Sequence, residues 1–175
     1  MMQSRLDYAQ TAPDGLKAML GLEQYARQSG LEPALRELVK IRASQINGCA
    51  FCLDMHTKNA RAAGETEQRL YTLPAWRETP FFSERECAAL AWTEAVTRIS
   101  ESHVPDETYE TVRQHFTKKE LVDLTLAIVA INGWNRLAIS FRPCPARINR
   151  PSTERERGRS DGAGSFQFFQ FFDAD

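Results

Sequence analysis

A chain of 175 residues with 42% hydrophobic content is long enough for one domain with a full core, so it does not need disulfide stapling. Twenty-two basic against twenty-three acidic residues leave a formal charge of -1, which argues against a nucleic-acid or membrane-surface binder that depends on a strong positive field. Residues 1–15 lack a signal-type apolar run and no segment reads as able to span a bilayer, so the expected compartment is the cytoplasm, where four cysteines point to redox or metal chemistry.

Helical periodicity runs over residues 13–141 and no stretch alternates as a strand does, so the predicted class is all-α. The first helix is expected from near Asp14 to Gly30, with Leu16, Met19, Leu20 and Tyr25 facing inward. The second starts at Pro33, which suits a first helical turn, and places Leu35, Leu38, Val39, Arg42 and Ile46 near one stripe until Asn47 and Gly48 break it. The third covers about residues 49–63 and stops at Gly64. A short helix at about 66–73 leads into a loop holding Pro74 and Pro80. "SERE" at 83–86 and "TKKE" at 117–120 have the form of capping boxes, the first opening a helix with Cys87, Leu90, Ala91 and Ile99 at helical intervals. Pro105 opens a helix reaching about Phe116, and the final run "LVDLTLAIVAI" is apolar on nearly every side, which suits the centre of the domain or a subunit contact. After Phe141 the composition shifts to proline, arginine, serine and glycine. This divides the chain into a helical domain at 1–141 and an irregular tail at 142–175, whose end carries five of the ten phenylalanines.

The chemistry concentrates in "INGCAFCLDMH" at 46–56. On a helix Cys49, Cys52 and His56 fall within an arc of roughly 60°, Cys52 and His56 stacking four apart and the two sulfurs able to approach disulfide distance. The positive end of a helix favours a thiolate there, and an imidazole nearby can take the proton; a free thiol is only about 3% ionised at pH 7, so the help matters. If the second and third helices form a hairpin about Asn47 and Gly48, Glu37 faces His56 and can orient it, giving a relay from Glu37 through His56 to Cys52.

Glu37, Cys49, Cys52 and His56, at intervals of eleven, two and three intervening residues, resemble the signature of the AhpD-like alkyl hydroperoxidases within the carboxymuconolactone decarboxylase superfamily. The likeness extends over about residues 16–141 and includes "INGWNRLAISFR", similar to the family's closing helix with its Asn132, Asn135 and Arg136 pattern. The resemblance implies a helical bundle that assembles into trimers or hexamers and needs no bound cofactor. It further implies that Cys52 attacks a hydroperoxide, Cys49 resolves the product as a disulfide, Glu37 and His56 move the proton, and a dithiol or protein reductant restores the pair. One departure stands out: Phe51 occupies the place where well-studied members carry a histidine.

Two other functions compete: decarboxylation or lactone chemistry, as in the other branch of the superfamily, and a metal-binding or redox-sensing module in which Glu37, Cys49, Cys52 and His56 hold zinc. Three candidate ligands on one short arc make a tetrahedral cage awkward. Asn132, Asn135 and Arg136 suit helix packing or a subunit contact, Trp92 and Trp134 suit the core, Cys87 a buried apolar place, and Cys144, between two prolines, an exposed one.

Overall fold

The computed structural model describes residues 3–142, and the expectations for Cys144, the tail and its phenylalanine run lie outside them. Among the described residues the chain is all-helical: α1 (Tyr8–Thr11), α2 (Pro13–Gln28), α3 (Pro33–Asn47), α4 (Ala50–Ala62), α5 (Glu67–Thr72), a 3₁₀ turn (Leu73–Glu78), α6 (Glu84–Thr97), α7 (Ile99–Ser102), α8 (Asp106–His115) and α9 (Lys118–Phe141).

Local chemistry explains most of these bounds. Ser83 and Glu86 form a reciprocal capping box at the start of α6, as Thr117 and Glu120 do for α9. Gly48 adopts φ 68°, its N–H bonding Gln45 O while Cys49 N–H bonds Ser44 O. That pair of bonds is a Schellman ending, and it sends the chain straight into α4 with Cys49 as the capping residue. Some inward expectations shift. Tyr25 is exposed and uses its hydroxyl on Asp123, Arg42 is half-buried beside Glu94, and Pro74 opens the 3₁₀ turn instead of lying in a loop. Ile99 falls past the end of α6 and is exposed, and Cys87 is half-buried.

Helix α3 is central, packing against α4, α6 and α9. On one side Leu35 and Val39 meet Ala89, Trp92, Val112, Leu124 and Ile128. On another, Leu38 and Ile41 meet Leu73, Trp76, Phe82 and Leu90. Near the C-terminal end of α3, Ala43 joins Cys49, Cys52, Ile131, Trp134 and Ala138. Contrary to the sequence expectation, α9 is long and apolar enough to cross a bilayer by length and composition. Here its inner residues, from Leu121 to Ala138, are buried in the bundle, and Val122, Val129 and Ile139 are exposed on its outer side.

Candidate functional site

The hairpin of α3 and α4 builds the site. Its turn is tied to α9 through Asn47, whose Nδ2 donates to Asn132 Oδ1 at 2.9 Å and Asn135 Oδ1 at 2.8 Å, while Asn135 Nδ2 donates to Ser44 Oγ at 3.1 Å. Arg136 bonds back to Asn132 on its own helix. These bonds satisfy polar groups that would otherwise be buried without partners, and they fix the position of Cys49 at the head of α4.

Both cysteines are free thiols and both are buried. Their sulfurs lie 2.9 Å apart, and the Cys52 backbone N–H points at Cys49 Sγ at 3.4 Å. The hydrogen bond from the Cys52 thiol, foremost, brings Cys49 down from the ordinary thiol value to about 7; burial opposes the shift, and the Cys52 amide, the Asn135 side chain and the Phe51 amide assist it. Cys52 moves the other way, because it donates to Cys49, is buried, and faces the charge on its neighbour. The two ionisations belong to the pair: one proton leaves readily, and the second is held by the charge already present.

One turn further along α4, buried His56 places Nδ1 2.9 Å from Glu37 Oε2 on α3, the partner that hairpin symmetry predicts. Burial pushes the Glu37 carboxyl up, but the His56 hydrogen bond and the charges of His56, Lys40 and Arg36 bring it below the ordinary value. With Nδ1–H donated to the carboxylate, Nε2 is left as the basic nitrogen. The structure thus joins Glu37 to His56 and Cys49 to Cys52, and α4 carries the second member of each pair. Among the described residues, no three His, Cys, Asp or Glu side chains are arranged to hold a metal ion.

Three participants escaped the sequence reading. Asn135, expected to serve packing, also favours the ionised form of both thiols. Tyr8 packs on the cysteine cluster with Leu16, Met19, Leu20, Phe51 and Leu137, and burial together with the thiols and Asp7 pushes its phenol up to about 12. The local signal for α1 was Asp7, whose side chain caps Ala9 and Gln10. Glu23 and Lys40, buried beside the Glu37 end of the relay, are the third.

Comparisons with known proteins give the family and the fold. The carboxymuconolactone decarboxylase family matches residues 13–95. The uncharacterized protein YdfG of Bacillus subtilis strain 168 is 51% identical over 140 residues, covering 80% of this chain and 95% of YdfG. The chain belongs to the carboxymuconolactone decarboxylase superfamily, among its AhpD-like members. Another AhpD-like structure, ATU0492 of Agrobacterium tumefaciens, a protein of unknown function assigned provisionally to antioxidant defence as AhpD, is 48% identical with a TM-score of 0.79, covering 81% of this chain and 97% of that one. The debrominase Bmp8 shares the fold at 18% identity and a TM-score of 0.69, over 79% of this chain and 76% of its own. Enzymes thus occur on this AhpD-like fold.

Proposed function

We propose that this AhpD-like protein is a dithiol peroxidase acting on hydroperoxides, with Cys52 as nucleophile, Cys49 as resolving thiol, and His56 with Glu37 as the proton relay. The observation that carries the reading is the 2.9 Å approach of the Cys49 and Cys52 sulfurs, on the helix whose next turn bears the His56–Glu37 pair.

The chemistry balances without a bound cofactor. His56 Nε2 takes the Cys52 proton, and the Cys52 thiolate attacks the terminal peroxide oxygen. The O–O bond breaks, Cys52 becomes a sulfenic acid, and the departing alkoxide takes a proton from the imidazolium to leave as an alcohol. Cys49 then attacks the sulfenic sulfur, forming the disulfide and releasing water. The substrate has gained two electrons from the pair, and an external dithiol returns them by thiol–disulfide exchange. Assembly into a homo-oligomer, a trimer or hexamer, accompanies this reading, with the exposed Val122 and Val129 face of α9 as a candidate contact; sedimentation gives the subunit number.

One observation favours a second order of attack. Resting charge is more easily placed on Cys49 than on Cys52. Peroxide turnover with a dithiol donor, together with dimedone trapping, separates the two. If Cys52 attacks, Cys52→Ser loses turnover and Cys49→Ser accumulates a trappable sulfenic acid; the mirror-image result assigns the attack to Cys49. Undiminished peroxide consumption by both variants rejects the reading. Activity on a carboxymuconolactone with both thiols blocked would instead support decarboxylase chemistry, and tightly held zinc without turnover would support a metal module.

A further inference from the structure

Behind Glu37 lies a charged pair that the relay does not use. Lys40 and Glu23 are both about 4% exposed, and Lys40 Nζ is in close contact with Glu23 Oε1 across the α2–α3 packing. The same ammonium stands 3.9 Å from Glu37 Oε1, while Glu37 Oε2 faces His56. The two oxygens of one carboxylate are therefore divided between a fixed cation and the imidazole. Buried ions of this kind are costly to desolvate, and a carboxylate left alone in such a place takes up a proton. Glu23 Oε2 makes no hydrogen bond among the described residues, so Lys40 is the group that fixes the Glu23 side chain.

We propose that Lys40 is a positioning residue for the cysteine site: anchored by Glu23, it keeps the Glu37 carboxylate ionised and turned so that Oε2 remains on His56. The charge count supports this. Glu23 and Lys40 cancel, so Glu37 is left with one net negative charge to stabilise the imidazolium that forms when His56 takes a proton. Without Lys40, the Glu23 and Glu37 carboxylates lose the cation between them, and both are drawn toward holding a proton. Among the described residues the charges acting on Glu37 are His56 from α4 and Lys40 and Arg36 from its own helix, with Glu23 reaching Lys40 from α2. Arg36 also donates to Ala26 O at 3.1 Å, which directs one of its nitrogens toward the α2 end.

The inference rests on the peroxidase reading for its turnover arm only, because alkylation of the reduced thiols reads the relay directly. The test compares wild type, Lys40→Met, Lys40→Arg, Glu23→Gln and the double variant Glu23→Gln/Lys40→Met in pH profiles of both iodoacetamide alkylation and peroxide reduction. Loss of a cation at this range shifts a carboxylate by about one unit or more, so with Glu37 held below 4.5 in the wild type Lys40→Met is expected to be about three- to fivefold slower than wild type at about pH 4.5 and within about twofold at about pH 8. The double variant, which leaves no unpaired buried charge, carries the same shift, and Lys40→Arg restores most of the wild-type profile. Glu23→Gln frees Lys40 to turn fully to Glu37, so its acid limb does not move upward. Equal slowing at every pH, or the same upward shift in Glu23→Gln, overturns the proposal. If the alkylation profiles of the variants shift as expected but wild type consumes no peroxide, the peroxidase reading fails and the role of Lys40 stands.

Discussion

The two flanks of α3 are built from different materials. Toward α6, α8 and α9 the contact is mostly apolar, with Leu35, Val39, Trp92, Val112, Leu124 and Ile128 filling it, and its polar groups are paired: Arg42 with Glu94 of α6, Thr93 with Ala89 O on its own helix, and Trp92 Nε1 with Thr125. Toward α2, α4 and the C-terminal half of α9 the buried set includes Glu23, Lys40, Ser44, His56 and Asn135 beside two thiols. Burying charges and amides adds little stability compared with burying leucine and valine, and it demands complete hydrogen bonding. One flank therefore holds the fold together and the other holds reactive groups in place, so substitutions on the two should separate stability from chemistry.

The largest expected effect is on the reactive flank. Cys52→Ser removes turnover while shifting the melting temperature little, since serine replaces the thiol with a group of similar shape; thermal melts alongside peroxide assays check both halves. Next, His56→Ala slows peroxide reduction by about 10²-fold or more, in the usual range for a lost acid–base group, and Glu37→Gln slows it by less because the imidazole remains. On the apolar flank, Leu124→Ala costs about 2–5 kcal/mol in denaturant unfolding yet leaves the thiol alkylation rate of the folded protein unchanged. A parallel loss of reactivity and stability in that variant would erase the distinction between flanks.

Smaller effects sharpen it. Burial pushes Glu37, Glu86 and Glu94 up, but their hydrogen bonds, from His56, from Arg69 and Ser83, and from Trp76, Arg77 and Arg42 respectively, hold all three below the ordinary 4.5. Carboxyls with depressed folded values stabilise the protein fully above their unfolded value and lose that contribution as pH falls through the folded one. Melting temperature should therefore be insensitive to these groups above about pH 5.5 and fall on further acidification. Gly48→Ala is the mildest change: no atom lies within 4 Å of the added methyl, so only the φ of 68° resists, at about 1 kcal/mol.

Where local rules decide, the sequence was informative. Serine and threonine before Glu86 and Glu120 placed the starts of α6 and α9, Pro33 and Gly48 bounded α3, and counting outward from the turn paired Glu37 with His56. Features settled by tertiary contact escaped. Helix α1 is four residues long and is held through Tyr8 against Phe141, with ring centres 5.8 Å apart, and through Arg5 bonding the end of α9. Glu23 and Lys40 lie seventeen residues apart on separate helices, a spacing with no local meaning. Apolarity along α9 reads alike for a core helix and a span, and only its neighbours distinguish the two. The division of charge between the cysteines depends on their mutual hydrogen bond and on burial by distant parts of the chain, with Asn135, more than eighty residues away, favouring the ionised form of both, so the motif alone did not show it.

The most direct measurement is a single-turnover titration: fully reduced protein meets one equivalent of an organic hydroperoxide, and each cysteine is located afterwards by peptide mass mapping. Stoichiometric conversion of Cys49 and Cys52 to a mutual disulfide, with one alcohol released and Cys87 untouched, is the predicted result. Peroxide left intact while both thiols remain reduced, or oxidation appearing at Cys87 instead, would contradict it.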